Sequence, residues 1–407
     1  MTIAATNRMP WLIIVAGSLI TMLVFGPRSA IGLFQLPMLQ DTGWDRSTFG
    51  LAIAIQNLMW GLSQPVFGAV ADRYGTGRVL ALAGLLYGAG MLLMAHASAP
   101  IWLHVGGGVL MGLAIGAGSL GTILSAFARH VTPEQRSFAF GIGSAASSAG
   151  MFLFSPISVE LISHFGWQDA LVIMGAMMLL IPLLAYPLRG NSTSGRAAAA
   201  TYEQTTGEAL REAFGHRSYL LLVSGFFVCG FQLAFITAHF PAYLGDIGID
   251  VRYSGIAIAL IGLFNVFGSL IVGSLGNRMP KRYILSAIYI ARSVAVTAFI
   301  LLPQTPVSVI VFAAVMGLLW LSTVPPTNGL VALMFGTRHL GLLGGMVFLS
   351  HQVGSFLGVW MGGFLRDRMG SYDIVWWLGV ALGVFAAIVH WPIEEKMVDR
   401  PGFVPAE

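Results

Sequence analysis

The chain has 407 residues, 56% of them hydrophobic and only 9% charged, with a formal net charge of +4. Ordinary soluble domains carry about 25% charged residues, so a soluble globular protein is excluded for want of polar surface. One cysteine, Cys229, excludes an intrachain disulfide framework and a cysteine-built metal site.

A bilayer core about 30 Å thick takes about 20 apolar residues per helix. Such runs are predicted, in chain order, near 10–35, 47–71, 78–97, 101–128, 137–164 and 167–188, then 217–244, 252–276, 283–303, 306–334, 340–365 and 372–391. The fold class is therefore an all-α membrane protein with 12 transmembrane helices. Only the connection at 189–216 is long and polar, and it divides the chain into a six-helix bundle at 1–188 and another at 217–391. A tail, 392–407, follows. Lys and Arg orient the spans. Fifteen of the 21 fall on the side of the N-terminus and the central loop; Arg46, Arg252, Arg366 and Arg368 fall opposite. Both termini are predicted to be cytoplasmic, and this asymmetry accounts for the basic balance without nucleic acid. The halves repeat at a shift of about 205 residues, where Asp41, Gly43, Asp45 and Gly50 meet Asp246, Gly248, Asp250 and Gly255. Parallel repeats of this kind mark a transporter architecture with substrate held between pseudo-symmetric halves.

Two arginines lie inside predicted spans. Arginine at membrane depth costs about 2.5–3.5 kcal/mol on insertion scales, so it faces protein or water. Arg28 shares a helix stripe with Thr21 and Gln35. A planar guanidinium beside water is suited to clamp a carboxylate; the alternative is that it snorkels to the outer surface. Arg292 lies nearer mid-span, where structural pairing with carbonyls or hydroxyls competes with substrate contact. His351, mid-span on the eleventh helix, can gain or lose a proton near neutrality and is the candidate both for binding a carboxylate and for proton coupling. Asn57, Gln232 and Asn265 are amides on other helices, readable as ligands or as interhelical hydrogen-bonding groups. Trp320, Thr323 and Thr327 form a stripe where "TVPPTNG" (Thr323–Gly329) is predicted to break the tenth helix. Of the 17 acidic residues only Glu160, Asp169 and Asp373 fall within the predicted spans, each near an end, so the interior field is positive and the cargo is expected to be negative.

The stretch "GAVADRYGTGR" (Gly68–Arg78) resembles the G-x-x-x-D-R-x-G-x-x-R signature between helices 2 and 3 of the major facilitator superfamily. The resemblance extends over the whole chain and implies a gate element at Gly68, Asp72, Arg73, Gly75 and Arg78, with Asp72 set against the N-terminal end of helix 11. "RHVTPEQRSFAFGIGSAASSAG" (Arg129–Gly150) is similar to the helix 4–5 region of the monocarboxylate and oxalate/formate porters. Where that branch places an arginine in helix 8, this chain has Ser269, and the branch's acidic residue in helix 1 is also missing. The resemblance implies a secondary active transporter of a small organic anion, a monocarboxylate first, working as a monomer by rocker-switch alternating access. Proton symport is expected, with a carboxylate exchanger or a hydrophobic drug exporter of the same fold as alternatives. No cofactor and no enzymatic activity are expected. The expected location is a bacterial inner membrane.

Overall fold

The computed structural model of the protein describes residues 9–189, 204–276, 278–336 and 339–398. The middle of the expected central connection and the end of the tail lie outside these residues. Every regular element described is helical, as lipid requires of a single chain whose backbone groups must find partners within their own segment.

The first apolar run forms α1 (Trp11–Ala30), a 3-10 turn (Ile31–Phe34) and α2 (Gln35–Thr42). Next come α3 (Arg46–Tyr74) and α4 (Thr76–Ala95), joined by Gly75 alone. The fourth run is α5 (Pro100–Leu103), a π-helical stretch (His104–Leu110), α6 (Met111–Ala117) and α7 (Leu120–His130). The long α8 (Pro133–Met178) turns at Gly166, whose φ of 80° suits glycine, and is followed by α9 (Leu180–Leu184). A capping box of Thr205 and Glu208 starts α10 (Thr206–Gly215). The remainder is α11 (Arg217–Asp246), α12 (Val251–Leu275), α13 (Lys281–Leu301), α14 (Pro306–Leu319), α15 (Val324–Phe335), α16 (Leu340–Met369) and α17 (Asp373–His390).

Among the described residues, ten segments are long and apolar enough to cross a membrane. The difference from the twelve predicted has two causes. The fifth and sixth runs are continuous through Gly166 and count as one, Phe138–Leu184. The other long helix, α3, is not among the ten; Gln56, Asn57, Ser63 and Gln64 dilute its apolar character.

The main packings within each half are α1 on α8 and α11 on α16. Between the halves, α3 lies along α16, α8 along α12, and α11 against the 3-10 turn and α2. Small residues permit these approaches. A methyl group on Gly61 of α3 would come 2.8 Å from the Gln352 side chain, and one on Gly230 of α11 would collide with the His351 carbonyl. Without interhelical hydrophobic driving force in lipid, such close contact is a principal source of association.

The ion pair that joins the halves, among the described residues, lies at one end. Asp246 accepts from Arg46 of the first half, at 2.5 Å, and from Arg366 of its own half, at 3.1 Å. Asp367 of α16 accepts the backbone N–H groups of Arg46 at 3.2 Å and Ser47 at 2.7 Å. The N-cap residue of α3, Asp45, makes no side-chain cap bond of its own, so a carboxylate from the other half caps this helix and meets its positive dipole end. At the opposite end, Gly68 of α3 and Gly341 and Gly345 of α16 have open space beside them. The halves are thus tied by charged groups at the Arg46 end.

Candidate functional site

Arg28 emerges from α1 toward α3, half-buried. Its Nη2 donates to Asn57 Oδ1 at 2.8 Å, and its guanidinium carbon lies 4.6 Å from the centroid of the Trp60 ring. Asn57 and Trp60 are three residues apart and share one face of α3. Trp60 is held by Gln64, which accepts its Nε1–H at 3.0 Å, and by edge contacts with Phe25 and Phe348. Arg28 Nε is buried with no hydrogen-bond partner, and the buried Tyr87 hydroxyl of α4, near enough to feel the Arg28 charge, also has none. No ion pair among the described residues includes Arg28. The arrangement is a cation with one flat face stacked, one edge anchored and donors to spare, which is what a carboxylate needs.

His351 is reached from Asn57 across the gap between halves. Gln352 Nε2 donates to the Asn57 carbonyl oxygen at 3.0 Å. A carbonyl only accepts, so this bond fixes the orientation of the amide and turns Gln352 Oε1 toward His351 Nδ1, 3.0 Å away. Nδ1 must therefore carry a hydrogen, which leaves Nε2 as the acceptor nitrogen of the neutral ring. The imidazole lies between Phe348 and Phe226, with ring centroids at 5.7 and 5.1 Å. Ser355, one turn on, donates to the His351 carbonyl.

The other sequence candidates are engaged elsewhere. Gln232 donates to the Gly379 carbonyl of α17 at 2.8 Å. Asn265 donates to Ser148 of α8 at 2.9 Å and accepts the backbone N–H of Leu321 at 2.9 Å. Arg292 is fully buried. Its Nε and Nη2 donate to the Leu319 carbonyl at 3.1 and 2.6 Å, Nη2 also donates to the Trp320 carbonyl, and Nη1 meets Cys229 Sγ at 3.3 Å. Arg292 and Asn265 thus hold residues 319–321, where α14 ends and the break before α15 begins. Of the six candidate ligands, the structure brings Arg28, Asn57 and His351 into one bonded series and sets Gln232, Asn265 and Arg292 behind it.

In the signature loop, Gly75 has φ 92° and ψ 139°, a region open essentially to glycine. Asp72 is exposed and lies 3.9 Å from Arg129 of α7. Arg129 also bonds Thr76, the first residue of α4. Arg73 stacks on Tyr74, and Arg78 donates to the Tyr74 carbonyl at 3.5 Å. Gly68 faces open space.

Sequence reasoning passed over His239. It is fully buried on α11 near the closed end. Its Nε2 faces the Val359 carbonyl at 2.8 Å and so bears the hydrogen, which leaves Nδ1 to accept from Gln35 at 3.3 Å and Tyr372 at 3.4 Å. Tyr372 in turn accepts from Arg46 at 3.0 Å. The missed signal was Gln35, noted as part of the α1 stripe with no partner assigned.

The family model of the major facilitator superfamily matches residues 17–359. An uncharacterised MFS-type transporter, YcxA of Bacillus subtilis (strain 168), is 26% identical over 380 residues, covering 90% of this chain and 91% of that one. Monocarboxylate transporter 13 of Rattus norvegicus is 23% identical over 372 residues, covering 89% and 83%. Among solved structures, the nucleoside transporter NupG superposes with a TM-score of 0.77 at 14% identity, covering 94% of this chain and 99% of that one. With a family match over most of its length and an all-helical fold shared with solved transporters, the chain belongs to the major facilitator superfamily.

Proposed function

We propose that the protein is a proton-coupled secondary transporter of small organic anions, monocarboxylates first among them. The observation that carries the reading is the half-buried Arg28, stacked on Trp60 and anchored by Asn57, with an unpartnered Nε and no carboxylate paired to it. A monocarboxylate accepting from Arg28 would supply the missing acceptor. His351, joined to Asn57 through Gln352, would carry the proton. The similarity to a monocarboxylate transporter supports the substrate class.

In this reading the chain crosses the bilayer twelve times as two rocking bundles, 1–188 and 217–391, with both termini cytoplasmic. The Arg46 end is then extracellular, and the protein is caught open to the cytoplasm. The Gly68–Arg78 loop acts as the gate of the cytoplasmic face.

The test is uptake of labelled carboxylic acids, amines and neutral solutes into proteoliposomes, with and without an inward proton gradient. Carboxylate uptake stimulated by the gradient is expected. Equal uptake of amines and neutral compounds would reject the anion reading. Stimulation only by carboxylate preloaded on the far side would make the protein an exchanger.

A further inference from the structure

The seam between α3 and α16 is tight over part of its length only. A methyl group on Gly363 would come 2.6 Å from the Arg46 carbonyl oxygen, one on Gly50 3.1 Å from the Val359 carbonyl oxygen, and one on Gly61 2.8 Å from the Gln352 side chain. Two turns beyond Gly61, Gly68 has nothing beside it, nor have Gly341 and Gly345 on the facing stretch of α16. Gln352, fully buried, stands at the last tight step of this series. Its amide crosses the seam there, with Nε2 donating to the Asn57 carbonyl oxygen of α3 at 3.0 Å.

That bond decides which nitrogen of His351 carries its hydrogen. With Nε2 spent on the carbonyl, Gln352 presents Oε1 to His351 Nδ1 at 3.0 Å. Ser355 gives its hydrogen to the His351 carbonyl at 2.9 Å, so its hydroxyl offers a second acceptor, 3.4 Å from Nδ1. Two oxygens therefore face Nδ1 and hold the ring in the Nδ1–H form, with Nε2 bare. Phe348 and Phe226 fix the ring plane from either side. From the neighbouring helices the ring meets Phe226 and Cys229 of α11 and, through Gln352, Asn57 of α3. None of these is a carboxylate, lysine or arginine, so the tautomer is set by the amide and not by an ion pair.

We propose that Gln352 is a positioning residue that makes the tautomer of His351 depend on contact between α3 and α16. With the seam shut, Nε2 is bare, and a proton from water adds to its lone pair while the Nδ1–H bond stays intact. With the seam open, the Asn57 carbonyl no longer orients the amide. Turned by half a rotation, Gln352 presents its N–H to Nδ1, which must then accept. The Nδ1–H bond breaks and an Nε2–H bond forms by exchange with water, with no change in charge. The acceptor nitrogen is then covered by the amide, so the ring takes a proton readily only in the form with the seam shut. Asn57 also anchors Arg28 through its side chain, so one residue of α3 touches the partners of both anion and proton. This last link rests on the transport reading above; the dependence of the tautomer on the seam does not.

The tautomer can be read by nitrogen-15 NMR of the full-length protein labelled at histidine, with His351→Gln identifying the signal. A neutral ring with hydrogen on Nδ1 is expected in the parent. Gln352→Met keeps the length of the side chain and removes both amide groups, and the Nδ1–H fraction should fall severalfold. Gln352→Glu loses the bond to α3 but still offers oxygen to the ring, and Nδ1 should stay protonated. Hydrogen on Nε2 alone in the parent, or the same tautomer in Gln352→Met as in the parent, would overturn the proposal. In proteoliposomes, the loss in Gln352→Met should fall on the ratio of carboxylate uptake with and without a proton gradient, which drops toward one, more than on the KM set by Arg28. An unchanged ratio would overturn the link to coupling. The expected tautomers in a protein that moves no carboxylate would sink the anion reading and leave the role of Gln352 standing.

Discussion

The same side chain meets two different surroundings at Arg28 and Arg292. Arg292 spends its donors on the Leu319 and Trp320 carbonyls and Cys229, whereas Arg28 keeps Nε unpaired and is only partly covered. Hydrogen bonds to charged groups contribute about 1.5–3 kcal/mol, and each 1.4 kcal/mol is about tenfold in affinity. Arg28→Gln is therefore expected to weaken carboxylate binding roughly 10- to 100-fold, measured as the rise in KM for uptake. Arg28→Lys should recover little, because a point charge neither stacks on Trp60 nor spans two oxygens. Arg292→Leu has a different signature. It strips the carbonyls at the helix break of their donor, at about 1–3 kcal/mol for each group left unsatisfied. The expected result is a lower thermal unfolding midpoint in detergent, whatever the substrate.

At the scale of the helix, glycines decide which surfaces can touch and where the chain can turn. Gly75 sits at φ 92° between α3 and α4. Gly75→Ala is expected to cost about 1–3 kcal/mol through backbone strain, seen as a lowered unfolding midpoint, while Gly68→Ala, facing open space, should leave that midpoint unchanged. Much of this level was legible beforehand. Apolar length located the helices to within a few residues, because lipid leaves a span little choice. The consecutive prolines, Pro325 and Pro326, announced the break in the tenth span. The 3-10 turn at Ile31–Phe34 and the π stretch at His104–Leu110 were not foreseen; they change hydrogen-bond step without changing hydropathy. The pairing of Gln35 with His239, 204 positions apart, and the capping of α3 by Asp367 depend on how the halves meet. No local pattern encodes such a meeting, and half of the proposed ligand set had already found partners that spacing alone could not reveal.

For the whole molecule, the two halves are tied together at the Arg46 end, where the proposed rocking would have to release them. Asp367 caps α3 from the opposite half, and a cap of this kind is worth about 0.5–2 kcal/mol. Asp246 holds Arg46 and Arg366 together, and without it the two cations face each other. Asp367→Ala and Asp246→Asn should both loosen that end. Spin labels at Gln40 and Arg252, one on each half and both exposed, should report longer and broader distances in the variants than in the parent. Unchanged distances would mean that the packing of α3 on α16 suffices by itself. The opposite end has a matching part in the interrupted tenth span. Because Arg292 and Asn265 already satisfy a carbonyl and an N–H exposed by the break, bending there sacrifices few bonds. The stub α15 can tilt about a fixed fulcrum while α14 stays seated, so one door could swing at low energy without the frame having to deform.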